Sequence, residues 1–263
     1  MLKILHRKKQ EETITQPETS PTQRFERKFF ILPKNIGFAY SLLRQFCRPD
    51  KDYPVSTVHS LYFDTISLDQ YNRSVSGDFN KNKVRIRWYG EESIEVNPLP
   101  VFIELKTRQG FASSKQRERK FVPVEDIELS RLVKGIVSRT VLNNTIAGFG
   151  YIPESTLLPV IKVSYNRYRF TEILTGTRVS LDYNIHSTII APDLGRREHD
   201  LRLEGSVVEV KGLSIELPVT LRKMKILDTD WSRFSKYSNC IDSHLSDPGS
   251  LARFGPPGRI LER

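Results

Sequence analysis

Pairs of charged residues that stand two positions apart recur along this chain of 263 residues. The stretch KVRIRWY places Arg85 and Arg87 at this spacing, alternating with Val84, Ile86 and Trp88. Because side chains alternate between the two faces of a β-strand, the arginines share one face and the apolar residues share the other. Guanidinium forks and compact ammonium groups are suited to holding phosphate oxygens. The spacing therefore predicts a strand that presents phosphate-binding groups.

Other segments of the chain repeat this arrangement of a charged face opposite an apolar face. The groups that alternation brings together are Arg24, Glu26 and Lys28; Glu104 and Lys106; Tyr165, Arg167 and Arg169; Arg178 and Asp182; and Glu209 and Lys211. An antiparallel sheet with one solvated face is the ordinary explanation. Such a face normally mixes Thr, Ser and Gln with its charges, whereas Arg, Lys and Glu dominate here. We therefore expect the charged face to line the inside of a closed barrel of about eight strands.

The expected interior would hold nine cations against four carboxylates, counting Arg85 and Arg87. Like charges in a confined space repel one another, so the interior favours an anion. A linear, multiply charged ligand such as a nucleoside triphosphate or polyphosphate suits a tube. The carboxylates would then be ligands for Mg²⁺ or Mn²⁺, with Glu209 and Glu26 the first candidates and Glu104 the next.

Elements that could position these groups are mainly short strands bounded by turn-forming residues. The predicted strands cover 24–31, 57–64, 83–89, 101–107, 160–170, 177–184 and 206–212. Helical spacing of apolar residues predicts helices over 34–47, 125–136 and 218–228. The fold class is therefore α+β, a closed antiparallel barrel with flanking helices. Residues 1–21 and 246–263 are predicted to be a flexible arm and tail around one domain over 22–245.

Composition narrows the class of protein further. The formal net charge of +10 favours anionic partners. Cys47 and Cys240 lack metal-ligand spacing, and we expect both to be ordinary buried or half-buried thiols. The chain contains no P-loop, zincin or nucleophile-elbow motif, and no run of roughly 18 apolar residues. These features predict a cytoplasmic protein with no membrane insertion.

Three residues near the end of the second predicted strand are interpreted as structural. His59, Tyr62 and Asp64 belong to a strand followed by a turn, where buried polar groups usually find hydrogen-bond partners. The positions of Lys115 and Lys223 relative to the barrel stay open.

Eight motifs occur in the order in which they appear in one known family. They are RFERKFFI, SLYFDT, KVRIRWY, FIELKTR, SYNRYRF, RVSLDYN, VVEVKG and RFSKYSNCI. The chain resembles, from Arg24 to Ile241, the VTC domain, the catalytic module of the eukaryotic vacuolar transporter chaperone polyphosphate polymerase and its bacterial relatives. That family lies within the triphosphate tunnel metalloenzymes.

The resemblance implies a closed barrel with a basic lumen, a transferase that makes polyphosphate from ATP, and dependence on Mn²⁺ or Mg²⁺. It implies a catalytic, phosphate-holding set of Lys28, Arg85, Arg87, Lys106, Arg167 and Arg178. Arg24, Tyr165, Arg169, Lys211 and Lys236 would bind substrate, with Lys236 of the FSKY motif near one tunnel mouth. Glu209 would resemble the metal-binding glutamate of the family.

One departure separates the chain from the sister group of adenylate cyclases and thiamine triphosphatases. That group carries E-x-E-x-K on its first strand, whereas the three positions here are Arg24, Glu26 and Lys28. The change removes a potential metal ligand and adds an anion-binding fork, which favours the polymerase branch. A triphosphatase or polyphosphatase of the same fold and a non-catalytic polyphosphate-binding module remain alternatives. The expected ligands are ATP and polyphosphate rather than nucleic acid, and a separate membrane protein would have to export any product.

Overall fold

The computed structural model describes residues 25–90, 96–110, 112–194, 200–214, 216–227 and 234–246. The predicted arm over 1–21, Arg24 and all of the predicted tail except its first residue lie outside these ranges.

One antiparallel sheet dominates the fold. Its strands are β1 (Phe25–Ile31), β2 (Cys47–Pro49), β3 (Val55–Asp64), β4 (Asn80–Tyr89), β5 (Leu99–Gln109), β6 (Ala112–Val122), β7 (Leu158–Glu172), β8 (Arg178–Ile189), β9 (Asp200–Leu203) and β10 (Ser206–Gly212). Eight strands form a continuous path in the order β1-β10-β8-β7-β3-β4-β5-β6. The short strands β2 and β9 pair with β7 and β8.

All seven predicted strands are present, at boundaries that differ by a few residues. The pattern missed β2, β6 and β9. Strand β6 has the sequence ASSKQRERKFV, in which polar and charged residues occupy both faces for most of its length. It therefore lacks the apolar alternation by which a half-buried strand is recognised.

The prediction of a closed barrel is wrong, because the sheet curls into a half-barrel whose edges stay apart. In the described ranges, β1 pairs only with β10, and β6 pairs only with β5. The curvature is nevertheless strong, since Lys106 Nζ on β5 lies 2.6 Å from Glu26 Oε2 on β1. Alternation shows which face is charged, but closure depends on the tilt and stagger of strands far apart in sequence.

The described residues include four α-helices that flank the sheet: α1 (Ile36–Phe46), α2 (Asp69–Val75), α3 (Arg139–Gly148) and α4 (Lys236–Leu245). Helix α1 confirms the prediction over 34–47. The segments predicted over 125–136 and 218–228 form 3-10 helices instead, at Val124–Ile127, Leu129–Lys134 and Val219–Leu227. None of the described helices is long and apolar enough to span a membrane.

The apolar face of the sheet is covered on its convex side. Val84, Ile86 and Trp88 of β4 are buried in one cluster with Leu142 and Ile146 of α3. A second cluster packs α1 and the 3-10 helix Val219–Leu227 against β1, β8 and β10. These two layers leave the charged side chains of the same strands on the concave side.

Both cysteines are buried, as predicted. Burial raises the pKa of Cys47 and of Cys240 to about 12, so both thiols stay protonated at neutral pH.

Candidate functional site

Glu104 on β5 gathers three cations from the two neighbouring strands. Arg85 on β4 donates from Nε to Glu104 Oε2 at 2.8 Å, and its Nη2 lies 2.7 Å from the same oxygen. Lys115 on β6 lies 3.0 Å from Oε1, and Arg87 Nη1 lies 3.9 Å from Oε2. Burial alone would raise the pKa of Glu104, but the three cations hold it well below its usual range. The ionised carboxylate thus orients both arginines of β4.

A second group of charges joins β7, β8 and β10. Arg167 donates from Nε to Asp182 Oδ1 at 2.5 Å and from Nη2 to Oδ2 at 2.7 Å, a two-point contact. Its Nη2 also lies 3.2 Å from Glu209 Oε2. Burial would raise the pKa of Asp182, but Arg167 and Lys236 lower it. The carboxylate therefore stays charged beneath the arginine.

The first turn of α4 reaches into the concave side of the sheet. Lys236 Nζ contacts Asp182 Oδ2 and lies 3.4 Å from Glu209 Oε1. Lys28 Nζ on β1 donates to Phe234 O just before the helix, at 3.1 Å. Burial opposes the charge of Lys236, but Asp182 and Glu209 raise its pKa. Helix α4 thus supplies a cation that no strand pattern contains.

A third group lies where β1 and β10 face β5. Lys211 Nζ is 3.4 Å from Glu26 Oε1 and 3.3 Å from Glu209 Oε2, so two carboxylates converge on one ammonium group. Lys106 contacts Glu26 from across the sheet, and Lys28 Nζ is 3.7 Å from Glu209 Oε1. Every one of these groups projects from a strand or residue that the sequence pattern marked.

Two lysines of the site lie where burial and neighbouring cations disfavour their positive charge. Lys83 Nζ donates to Ser74 Oγ at 3.0 Å and to Ser235 Oγ at 2.7 Å, and none of the described carboxylates pairs with it. Burial, together with Lys28, Lys106 and other cations, lowers the pKa of Lys83 well below its usual range. Burial lowers the pKa of Lys106 to about 8, with Glu26 opposing and Lys28 reinforcing the shift. The concave face therefore carries more positive charge than its carboxylates neutralise.

Two tyrosine hydroxyl groups accept hydrogen bonds from Arg85 and Arg87. Tyr62 accepts a hydrogen bond from Arg85 Nη1 at 3.0 Å and stacks on Tyr237 of α4, with ring centroids 4.8 Å apart. Tyr165 accepts one from Arg87 Nη2 at 3.4 Å. Each arginine is thus fixed by a hydroxyl as well as by Glu104, which leaves its remaining N–H groups for a ligand.

Two of the predicted cations lie at the rim of this surface. Arg169 donates to Ser56 Oγ at 2.7 Å and to Tyr53 O at 3.2 Å. Arg178 is exposed at the first position of β8, and no described carboxylate pairs with it. The structure therefore brings neither into the central group, and Arg24 lies outside the described residues.

Sequence reasoning missed Lys83 and Tyr62 as contributors to the site and left the position of Lys115 open. Lys83 stands two positions before Arg85, so the alternation of side chains predicts that both lie on the same face. Lys115 lies on β6, the strand that lacks apolar alternation. Tyr62 was interpreted as structural, but the structure brings its hydroxyl to Arg85.

The structural interpretation of the two other residues of that segment agrees with their surroundings. His59 is buried, bonds Ser164 and Gly90, and stacks on Trp88 of the convex face. Asp64 accepts hydrogen bonds from the backbone at the start of α2. Lys223 lies away from the site, with its ammonium group 4.8 Å from the ring centre of Phe46.

The concave face thus collects a cluster that we call the cationic cluster. Its cations are Lys28, Lys83, Arg85, Arg87, Lys106, Lys115, Arg167, Lys211 and Lys236, and its carboxylates are Glu26, Glu104, Asp182 and Glu209. The numbers, nine against four, equal those expected from the sequence, although the membership differs. Such a surface can neutralise several charges of an anion at once.

The carboxylates differ in how well they fit a divalent metal. In the described part of the chain, no group of three or more metal-binding side chains converges. Glu26 and Glu209 nevertheless share one cation, Lys211, and Mg²⁺ commonly takes one or two carboxylates together with substrate phosphates. That pair fits a metal carried with phosphate. Both oxygens of Glu104 are held by Arg85 and Lys115. Both oxygens of Glu26 and of Glu209 also contact cations, so a metal there would displace some of these contacts.

Comparison with known proteins gives one match over most of the chain. The profile of the VTC domain family matches residues 23–245. No curated protein matches significantly.

Solved structures show more distant likenesses. A candidate adenylate cyclase from Bacillus halodurans is 17% identical, with a TM-score of 0.48, over 81% of this chain and 93% of that chain. A candidate adenylyl cyclase from Hippeastrum, described as having a dominant triphosphatase activity, is 16% identical, with a TM-score of 0.42. The second likeness covers 86% of this chain and 98% of that chain.

Proposed function

The chain belongs to the VTC domain family, and from that premise we propose that it is a polyphosphate polymerase that transfers the terminal phosphate of ATP to a growing polyphosphate chain. The observation that carries the proposal is the excess of cations in the cationic cluster. Lys83 has no carboxylate partner among the described residues, and its pKa is lowered by burial and neighbouring cations. A bound chain of phosphates would remove this repulsion, which is why a linear polyanion suits the site.

Positioning and charge neutralisation are most of what phosphoryl transfer requires from a protein. In this proposal Arg85 and Arg87 hold phosphate oxygens with the N–H groups that Glu104 leaves free, while Lys28 and Lys106 supply point charges. Arg167 on β7, held by Asp182, presents a guanidinium edge on the same concave face. The concave face thereby aligns the phosphate that is transferred with its acceptor.

The acceptor in the proposed reaction is the end of a phosphate chain, whose oxygen forms a bond to the terminal phosphorus of ATP while the bond from that phosphorus to ADP breaks and ADP leaves. Such an end is already anionic near neutral pH, so the attack requires no general base. The cationic cluster contains no histidine, and His59 lies against Trp88 on the convex side. The composition of the cluster therefore suits transfer to a phosphate better than activation of water.

A divalent metal, Mn²⁺ or Mg²⁺, is expected by analogy with the tunnel enzymes. We propose that Glu209 and Glu26 hold it and that Glu104 serves as the counter-ion of the arginines. When bound, the metal would neutralise part of the negative charge of the substrate phosphates. The rim arginines Arg169 and Arg178 would contact substrate outside the central group.

The proposal is tested by incubating the purified protein with ATP and Mn²⁺ and separating the products by chain length. Long chains are the expected product, whereas free phosphate alone would identify a triphosphatase or polyphosphatase. ATP binding without turnover would identify a binding module. Either of the last two results overturns the polymerase assignment.

The first prediction concerns Arg87. Arg87→Ala should lower the rate of polyphosphate synthesis by roughly 100-fold or more, because it removes a preorganised donor from the site of charge development. Arg87→Lys should recover part of the rate, since it keeps the charge but loses the fork. Arg131→Ala, which removes a surface cation paired with Asp126, is the matched control. Synthesis by Arg87→Ala at the wild-type rate would contradict the assignment.

A further inference from the structure

Strand β6 carries a row of cations that runs beside the cationic cluster, on the last strand of the sheet path. Register with β5 pairs Arg117 with Glu104 and Arg119 with Phe102, which places both arginines on the concave face. Lys115 precedes them on the same face and contacts Glu104. Since a strand advances about 3.3 Å per residue, the row extends about 13 Å from Lys115 to Arg119.

Both outer arginines lie over aromatic rings. The guanidinium carbon of Arg117 is 4.8 Å from the ring centre of Phe102, and that of Arg119 is 5.4 Å from the ring centre of Phe121. A guanidinium stacked on a ring keeps its in-plane N–H groups free. Arg117 and Arg119 are exposed, so those groups face solvent.

Neither arginine has a carboxylate partner in the described part of the chain. This distinguishes them from Arg85 and Arg167 inside the cluster, which contact Glu104 and Asp182. On the opposite face of β6, Lys120 pairs with Glu118. The unpaired charge of the strand is thus confined to the face that adjoins the cationic cluster.

We propose that Arg117 and Arg119 bind a part of a linear polyphosphate chain that lies over β6, beside the phosphates held by the cationic cluster. This inference rests on the proposed function, since it takes the cluster to hold the first phosphates of the same chain. Lys115 joins the two regions, because it contacts Glu104 inside the cluster and begins the row on β6. The chain would therefore bind a long polyphosphate more tightly than a triphosphate.

Single-stranded nucleic acid is the other polyanion that such a row could meet. Its binding generally uses open aromatic faces on which bases stack. On β5 and β6 the guanidinium groups already cover a face of Phe102 and of Phe121. The arrangement favours a ligand that needs charge and hydrogen bonds but no stacking platform, which is a phosphate chain.

The second prediction compares two ligands on the full chain by titration calorimetry. The double variant Arg117→Gln, Arg119→Gln should weaken binding of size-fractionated long-chain polyphosphate by roughly tenfold, while the affinity for tripolyphosphate changes by less than about twofold. The dependence of long-chain affinity on salt should fall in slope by roughly 1 to 2, since two phosphate contacts are lost.

A matched control removes two surface cations elsewhere. Lys120→Gln, Arg131→Gln should leave the affinities for both ligands and the salt slope unchanged. The inference is overturned if the arginine variant binds long chains as the wild type does, if it weakens both ligands equally, or if single-stranded RNA binds equally well and shows the same sensitivity. If the cationic cluster did not bind phosphate chains, the wild-type protein would not bind tripolyphosphate at all. That result is distinct from a loss confined to the arginine variant.

Discussion

At the scale of single residues, the unusual feature is a set of lysines placed where their charge is costly. Lys83 donates hydrogen bonds only to hydroxyl groups among the described side chains, and its ammonium group lies 5.9 Å from the ring centre of Tyr237. Lys106 is repelled by Lys28 and Lys211 although it contacts Glu26. The positive charge of these lysines is disfavoured by burial and by neighbouring cations, and the anionic ligand of the proposed function would offset that cost. Their chemistry is explained by a ligand that brings negative charge.

The third prediction follows from Lys106, whose pKa is lowered to about 8. At pH 9 its amine is mostly neutral in the free protein, and a bound anion raises its pKa. Binding of tripolyphosphate should therefore take up protons at pH 9, and affinity should fall as pH rises through about 8. Calorimetry in two buffers of different ionisation enthalpy measures the uptake.

Two variants test whether Lys106, and not another cation, causes the proton uptake. Lys106→Gln should reduce the proton uptake and flatten the pH dependence, whereas Lys120→Gln should behave as the wild type does. Equal uptake in Lys106→Gln and in wild type would contradict the role of Lys106.

At the scale of elements, Asp64 ties three pieces of secondary structure together. It ends β3, accepts hydrogen bonds from the backbone N–H groups of Gln70 and Tyr71 in α2, and accepts one from Tyr237 Oη of α4 at 2.6 Å. Burial raises the pKa of Asp64, while these hydrogen bonds oppose the shift. The carboxylate thus anchors α4, whose first turn carries Lys236 into the cationic cluster.

The fourth prediction concerns this anchor. Asp64→Asn should lower the free energy of unfolding by about 2–4 kcal/mol, because it leaves buried donors without a charged acceptor. Tyr237→Phe removes one hydrogen bond and should cost about 1–2 kcal/mol. Urea denaturation measures both changes.

Asp126→Asn provides the comparison for Asp64→Asn. Asp126 pairs with Arg131 at the surface at 3.6 Å, so its loss should change stability by less than about 0.5 kcal/mol. If the two variants lost equal stability, Asp64 would not be the anchor of α4.

At the scale of the whole molecule, a net charge of +10 is combined with a half-barrel whose edges do not pair. The two ends of the sheet approach one another through side chains, since Lys106 on β5 contacts Glu26 on β1. An anion that contacts cations at both ends of the sheet would add contacts that the unfolded chain lacks. Ligand binding is therefore expected to stabilise the fold.

The fifth prediction is a rise in melting temperature with tripolyphosphate. A concentration 100 times the dissociation constant should add about 2.7 kcal/mol to the free energy of unfolding, and high salt should diminish the effect. Sulfate at equal ionic strength is the control. Equal stabilisation by sulfate would show a general salt effect instead of a site for linked phosphates.

The sequence by itself determined seven of the ten described strands and which of their side chains share a face. Arg85 with Arg87, Glu104 with Lys106, and Glu209 with Lys211 follow from alternation, because alternation is a local property of extended backbone. The same rule predicts that Lys83 shares a face with Arg85. It could not identify β6, because a strand with polar groups on both faces has no apolar period.

Only the tertiary structure decided which of these groups meet and whether the sheet closes. The contact of Lys106 with Glu26, the entry of Lys236 from α4 and the separation of β1 from β6 depend on sheet curvature and on packing between distant segments. Local periodicity contains no information on strand stagger, so it predicts a charged face without predicting the shape that the face encloses.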